Sequence, residues 1–311
     1  MKNGLMKRSV SNRALAWLCV AALLISLTPL YALSVYNHAC YDDFGFSILT
    51  HDAWRSTGSV LETVKAAIRN TVGIRDTWEG TYATSFISAL QPALFGEHLY
   101  WITTALLLTF FLFALWFFLK QVLVRTLHAD GPTFWMAFCA VAFVMVQFVP
   151  ELSEAFFWFN GGVAYTLMWS VMLTRLGVLI SFENARSKGA KAALYALLVV
   201  LTAILGGAKY STLLFAVLAD AVLVLRAFGR KRRERVGELA LFMLLLACFV
   251  FSMVAPGNAV RAKTLRGGMS APMAVLQAFY FGLALMGNWF SLPLLVVWCM
   301  VAWQLSEALG G

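Results

Sequence analysis

The chain predicts an all-α, polytopic helical membrane protein of about eight or nine spans, and three observations carry that class. Hydrophobic residues make up 61% of the 311 and charged residues only 13%, about half the charged share of a soluble domain. Mean hydropathy is +0.78. The apolar runs approach the roughly 20 residues that a span requires and are too long for core strands. The short alternating segments of an outer-membrane barrel are not seen.

Taken in order, the first run covers 14–35 and follows Lys2, Lys7, Arg8 and Arg13. It is longer than a usual signal core and lacks an Ala-x-Ala site, so it reads as a retained span. Residues 36–98 then form a long loop. Within it Val60, Leu61, Val64, Ala67 and Ile68 fall on one helical face. Tyr82 to Phe95 carries Phe86, Ile87, Leu90 and Leu94. Both pieces are expected to lie in the interface plane; the alternative for 80–96 is a further short span. Spans follow at 99–119, 132–149, 163–182, 191–207, 211–228, 239–255 and 273–287. A last one at 290–305 depends on whether Gly287-Asn288-Trp289 and Pro293 form a turn or a kink. No linker or repeat divides the chain, so 1–311 reads as a single membrane domain.

Basic residues set the orientation. With the N-terminus cytoplasmic, the inner segments hold the four N-terminal cations, Lys120, Arg125, Arg186, Lys188, Lys191 and the cluster from Arg226 to Arg235. The net charge of +9 is then largely topological. It calls for anionic membrane lipids and no nucleic acid. Of the five cysteines only Cys40 lies in a loop, so no disulfide framework is implied. The four histidines are scattered, and no zinc site is expected.

That orientation brings the unusual polar residues to the outer face. The first loop, 36–98, becomes extracytoplasmic and carries the adjacent pair Asp42 and Asp43, with Asp52, Glu62, Asp76, Glu79 and Glu97. The second loop holds Glu151 and Glu154, spaced to share a helical face, followed by Trp158, Asn160 and Tyr165. These last three read either as an aromatic belt or as a sugar-binding set. Lys209 follows a Gly206-Gly207 pair and either snorkels at a helix end or contributes to a phosphate site. Asn258, Arg261, Lys263 and Arg266 follow a Pro-Gly turn. Cations on that side break the positive-inside trend, and arginine suits forked binding of phosphate. Inside the spans, Arg175 and Asp220 form either a structural pair or a proton relay.

Four segments together resemble the GT-C superfamily, the multi-span glycosyltransferases that use polyprenyl-phosphate-linked sugars. They are Tyr41-Asp42-Asp43-Phe44, Asp76-x-Trp78-Glu79-Gly80-Thr81-Tyr82, Glu154-x-x-x-Trp158-x-x-Gly161-x-x-x-Tyr165, and Ala255-Pro256-Gly257-Asn258-x-x-Arg261. The set is most similar to a bacterial branch near the families that glucosylate O-antigen. Relatives often have Gly-Arg where this chain has Gly80-Thr81, and they usually have more spans and a longer C-terminal part.

The resemblance implies a GT-C-like fold in the bacterial inner membrane, with a glycan or lipid acceptor attacking a polyprenyl-phosphate sugar outside the cell. Asp42 or Asp43 would be the general base. Lys209, Arg261 and Lys263 would hold the donor phosphate. Trp78, Glu151, Glu154, Trp158, Asn160, Tyr165 and Asn258 would contact sugar or acceptor. No cofactor is expected, and a divalent metal stays open. The other readings are a transporter or polymerase subunit for lipid-linked glycans, or a truncated, non-catalytic relative.

Overall fold

The computed structural model describes residues 11–228, 232–264, 269–289 and 292–310. Lys2, Lys7, Arg8, Arg230, Lys231 and Arg266 lie outside them. Every described element is helical. The chain begins with α1 (Asn12–Leu33), whose first turn is capped by the Ser11 side chain accepting from the Ala14 N–H at 3.2 Å. The first loop supplies α2 (Asp42–Thr57), α3 (Val60–Thr77) and the short α4 (Tyr82–Ser88). Then come α5 (Ile102–Leu119) and α6 (Gly131–Gln147), the latter capped by Asp130 on the Thr133 N–H at 2.9 Å. The remaining helices are α7 (Phe159–Gly162), α8 (Met168–Asn184), α9 (Lys188–Leu205), α10 (Tyr210–Ala227), α11 (Arg232–Met253), α12 (Pro256–Thr264), α13 (Ala271–Trp289) and α14 (Leu292–Gly310).

Each apolar run read from the sequence is a helix. Among the described residues, five helices are long and apolar enough to cross a membrane: Asn12–Tyr36, Glu97–Thr126, Phe159–Asn184, Lys188–Leu205 and Val236–Met253. They make the chain a helical membrane protein by length and composition. Gly131–Gln147 is apolar but shorter. The 80–96 stretch is not a span, because α4 has only 7 residues and Gln91-Pro92 leads into a separate short turn. Gly287-Asn288-Trp289 closes α13 and Pro293 lies in the first turn of α14; residues 290 and 291, on which the choice between turn and kink rests, lie outside the described residues.

Burial orders the bundle. In the apolar 18-residue stretch of Phe159–Asn184, 67% of the residues are buried, whereas in those of Asn12–Tyr36, Lys188–Leu205 and Val236–Met253 only 17–22% are. The first is therefore the central helix and the others are peripheral. Leu107, Leu108, Phe111 and Ala114 of α5 share one core with Met168, Val171 and Met172 of α8. Peripheral helices turn Trp17, Ile25, Val222 and Val250 outward, as a lipid-facing surface would. A forked ion pair joins three helices: Arg175 on α8 donates to both Asp220 oxygens on α10 at 2.7 Å, and its Nε donates to Thr202 on α9 at 2.8 Å. The two charges thus form the structural pair.

The apolar face read on α3 divides between its bulky residues and Ala67. On α3 the residues turned inward are Thr63, Ala66 and Ala67, while Val60, Leu61 and Ile68 are exposed. Small side chains let α3 pack closely on α2, where Ser47 and Thr50 are buried. The bulky apolar residues are left facing outward, as in a helix lying on lipid.

Candidate functional site

The loops meet at one end of the bundle. Asn37, just past α1, donates to the Phe157 carbonyl at 2.6 Å, and the Ala39 N–H donates to Glu97 at 3.0 Å. These ties bring the start of α2 against the entries to α5 and α7.

The acid pair divides at this point. Asp42 is exposed in the first turn of α2. Asp43, one residue later, is fully buried. Its Oδ2 accepts from the Cys40 N–H at 3.2 Å and from the Tyr100 hydroxyl; its Oδ1 accepts from the Asn160 N–H at 3.1 Å. The Tyr100 oxygen in turn accepts from the Phe159 N–H at 2.9 Å. One carboxylate therefore fastens α2, the segment entering α5, and α7. Burial raises the Asp43 pKa above the ordinary carboxyl value, and the nearby Asp42 charge adds to the rise. The three hydrogen bonds oppose it. Tyr41 precedes the pair at φ +47 and is exposed. Such a backbone costs a non-glycine residue about 1–3 kcal/mol and recurs at functional sites.

Trp158 and Asn160 come to the same place. The Trp158 ring stands edge-on to Tyr41, with centroids 5.8 Å apart. The Asn160 residue is 7% exposed, and neither atom of its amide group has a hydrogen-bond partner among the described residues; the Trp158 indole nitrogen is likewise buried and unpartnered. Unpaired buried polar groups cost about 1–3 kcal/mol each. Beside the buried acid, each such group calls for a partner from outside the described residues, a water or a ligand. Glu151 and Glu154 are both exposed. Tyr165 lies elsewhere: it lines a crevice of about 270 Å³ with Thr166, Trp169 and Phe215. The chain is π-helical over Ser153–Phe157 and Val163–Leu167, on either side of α7.

Two of the three predicted phosphate cations, Lys209 and Arg261, gather around Glu79, a carboxylate of the first loop. Glu79 is 2% exposed. It accepts from the Lys209 ammonium, from Arg261 at 2.8 Å and from the Thr81 hydroxyl at 2.8 Å. Arg261 also lies over the ring of Trp78, 4.8 Å from its centroid. Asn258 accepts from the Gly80 N–H at 3.3 Å and the Tyr210 hydroxyl at 2.7 Å, and donates to the Ser252 carbonyl at 2.9 Å. Asn258 is thus a clamp between α12 and the 78–82 segment. A Cβ on Gly80 would stand 1.9 Å from the Ser252 carbonyl oxygen, and one on Gly257 would stand 2.4 Å from the Trp78 nitrogen. Only glycine permits this approach. Lys263 is exposed on α12. Lys209 and Arg261 therefore spend at least part of their charge on Glu79. Arg261 does so through one terminal nitrogen and keeps a side chain that is 40% exposed.

Short α4 lies between the two clusters. It follows Glu79-Gly80-Thr81 and packs against both α2 and α7. Its Ser85 hydroxyl is buried and unpartnered. The sequence signal that pointed to Asp43 and Asn160 was their placement in interfacial loops. Glu79 carried a weaker signal, an acid between Trp78 and Gly80. Among the described residues no three His, Cys, Asp or Glu side chains stand close enough to hold a metal ion.

No protein-family model, no curated protein and no solved structure matches the chain.

Proposed function

We propose that the chain is a GT-C-like glycosyltransferase of the bacterial inner membrane. It moves a sugar from a polyprenyl-phosphate donor to a glycan or lipid acceptor on the extracytoplasmic face. In this reading the helices make eight or nine spans with the N-terminus in the cytoplasm. The observation that carries it is the division of the acid pair. Asp43 is locked by three donors beside the unpaired amide of Asn160, and Asp42 is left exposed one residue away.

Asp42 is the general base in this proposal, and Asp43 is its positioning residue. The acceptor hydroxyl oxygen attacks the anomeric carbon and its proton passes to Asp42. The bond from that carbon to the phosphate oxygen breaks, and polyprenyl phosphate leaves as the anion. Base and hydroxyl must come within hydrogen-bond reach. The leaving charge needs nearby cations, and Lys263 and the free edge of Arg261 supply them. Asn160 and the Trp158 indole hold sugar hydroxyls, since amide and indole groups offer both donors and an acceptor.

The test compares Asp42→Asn with wild type in a deletion strain, reading the envelope glycan by mass spectrometry and membrane insertion by immunoblot. Loss of one sugar from the glycan with normal insertion supports the reading. An unchanged glycan refutes it.

A further inference from the structure

One cavity stands apart from the acid pair. It has a volume of about 430 Å³ and opens between the second half of α2 and the turn at Leu94–Gly96. Four features define its chemistry. Trp54 and Phe95 form an aromatic wall, edge to face, with centroids 4.9 Å apart. His51 places Nδ1 3.1 Å from the Leu94 carbonyl oxygen. A carbonyl only accepts, so Nδ1 carries the hydrogen, and Nε2 is the nitrogen left without a partner among the described residues. Arg55 is exposed, with no acceptor among the described residues. Finally, α2 ends at Gly58 with φ +60, and a Cβ there would meet nothing within 4 Å. The rim is therefore open as well as glycine-dependent.

We propose that this cavity binds a carboxylated sugar residue of the acceptor glycan, which rests on the proposed transferase reading. Among the described residues, Arg55 is the only Lys or Arg lining the cavity. Its planar fork matches a carboxylate held by two parallel hydrogen bonds. The aromatic wall covers the apolar face of a sugar ring, and His51 Nε2 accepts from a hydroxyl. A volume of this size falls within the range of small-ligand sites, roughly 300–1,000 Å³. The C-terminus of α2 carries partial negative charge, which Arg55 offsets from its last turn. At about 1.5 Å per residue, Trp54 sits roughly 18 Å along α2 from Asp42. A glycan lying along α2 would thus reach the base with its end while an acidic unit further back is held in the cavity.

The experiment measures binding to the full chain in nanodiscs of neutral lipid by isothermal titration. The probes are a uronic-acid oligosaccharide and a neutral oligosaccharide of equal length. The acidic probe is expected to bind at least tenfold more tightly than the neutral one. Arg55→Gln is expected to erase that difference with no change in thermal midpoint. Equal binding of both probes, or undiminished binding by Arg55→Gln, overturns the assignment. So does Arg55-dependent association with anionic vesicles that outcompetes the acidic probe, since that outcome assigns the cavity to a lipid headgroup. Binding needs no turnover, so the two readings fail separately. Loss of binding in Arg55→Gln with an unchanged glycan in Asp42→Asn removes the transferase, and the reverse pattern removes the acidic-sugar site.

Discussion

Replacing Tyr100 by phenylalanine tests whether Asp43 is the fastening point of the polar end. The substitution removes one oxygen and keeps the ring, which is fully buried. That oxygen donates to Asp43 and accepts from the Phe159 N–H at 2.9 Å. Its loss leaves a buried backbone amide without its partner, at about 1–3 kcal/mol, and removes a hydrogen bond to an acid, worth about 1.5–3 kcal/mol if the acid is ionised. Together they amount to about 4 kcal/mol, roughly a thousandfold in the folding equilibrium. Thermal unfolding in detergent, followed by tryptophan fluorescence, reads this as a lowered midpoint. A cycle with Asp43→Asn should recover a coupling of about 1–2 kcal/mol, because contacting residues do not add. An unchanged midpoint in Tyr100→Phe, or additivity in the cycle, would refute the claim that the two groups work as a unit.

Three further outcomes follow from the same geometry. Glu79→Ala leaves Lys209 and Arg261 without their shared acid and should destabilise the chain by about 3 kcal/mol, less than a deeply buried pair because Arg261 is partly exposed; limited proteolysis near α12 checks it. Removing Asp220 alone should cost about 3–5 kcal/mol by stranding the buried Arg175, whereas replacing both by Met and Leu should be neutral or stabilising, as measured by thermal midpoints. Because burial holds the Asp43 pKa above its ordinary 3.8, the folded chain binds its proton more tightly than the unfolded chain. That contribution is full below the ordinary value and is lost as pH rises through the folded value, so wild type should lose stability relative to Asp43→Asn over that interval.

The helices were legible because the apolar runs are long and their period is local. Face assignment was not always legible. On α3 the bulky residues of the apolar face point outward, as an interfacial helix requires, but Ala67 of that face turns inward with Thr63 and Ala66, whose small side chains allow the close approach to α2. The acid pair was visible as a pair, yet nothing in two adjacent aspartates says which one is buried. That is decided by the Tyr41 backbone at φ +47 and by donors from Tyr100 and Asn160, 57 and 117 residues away. Glu79 was harder still, since its two cations come from 130 and 182 residues downstream. Tyr165 stands five residues after Asn160, and the structure places it on the crevice with Thr166, Trp169 and Phe215.

The central claim is that exposed Asp42 takes the acceptor proton. Its most direct test is sugar transfer by purified protein in nanodiscs, with a radiolabelled polyprenyl-phosphate sugar and the native envelope glycan as acceptor. Asp42→Asn should lower kcat by about 10²–10⁴-fold, the usual contribution of a positioned base, with donor binding unchanged. Turnover equal to wild type in that variant would contradict the account.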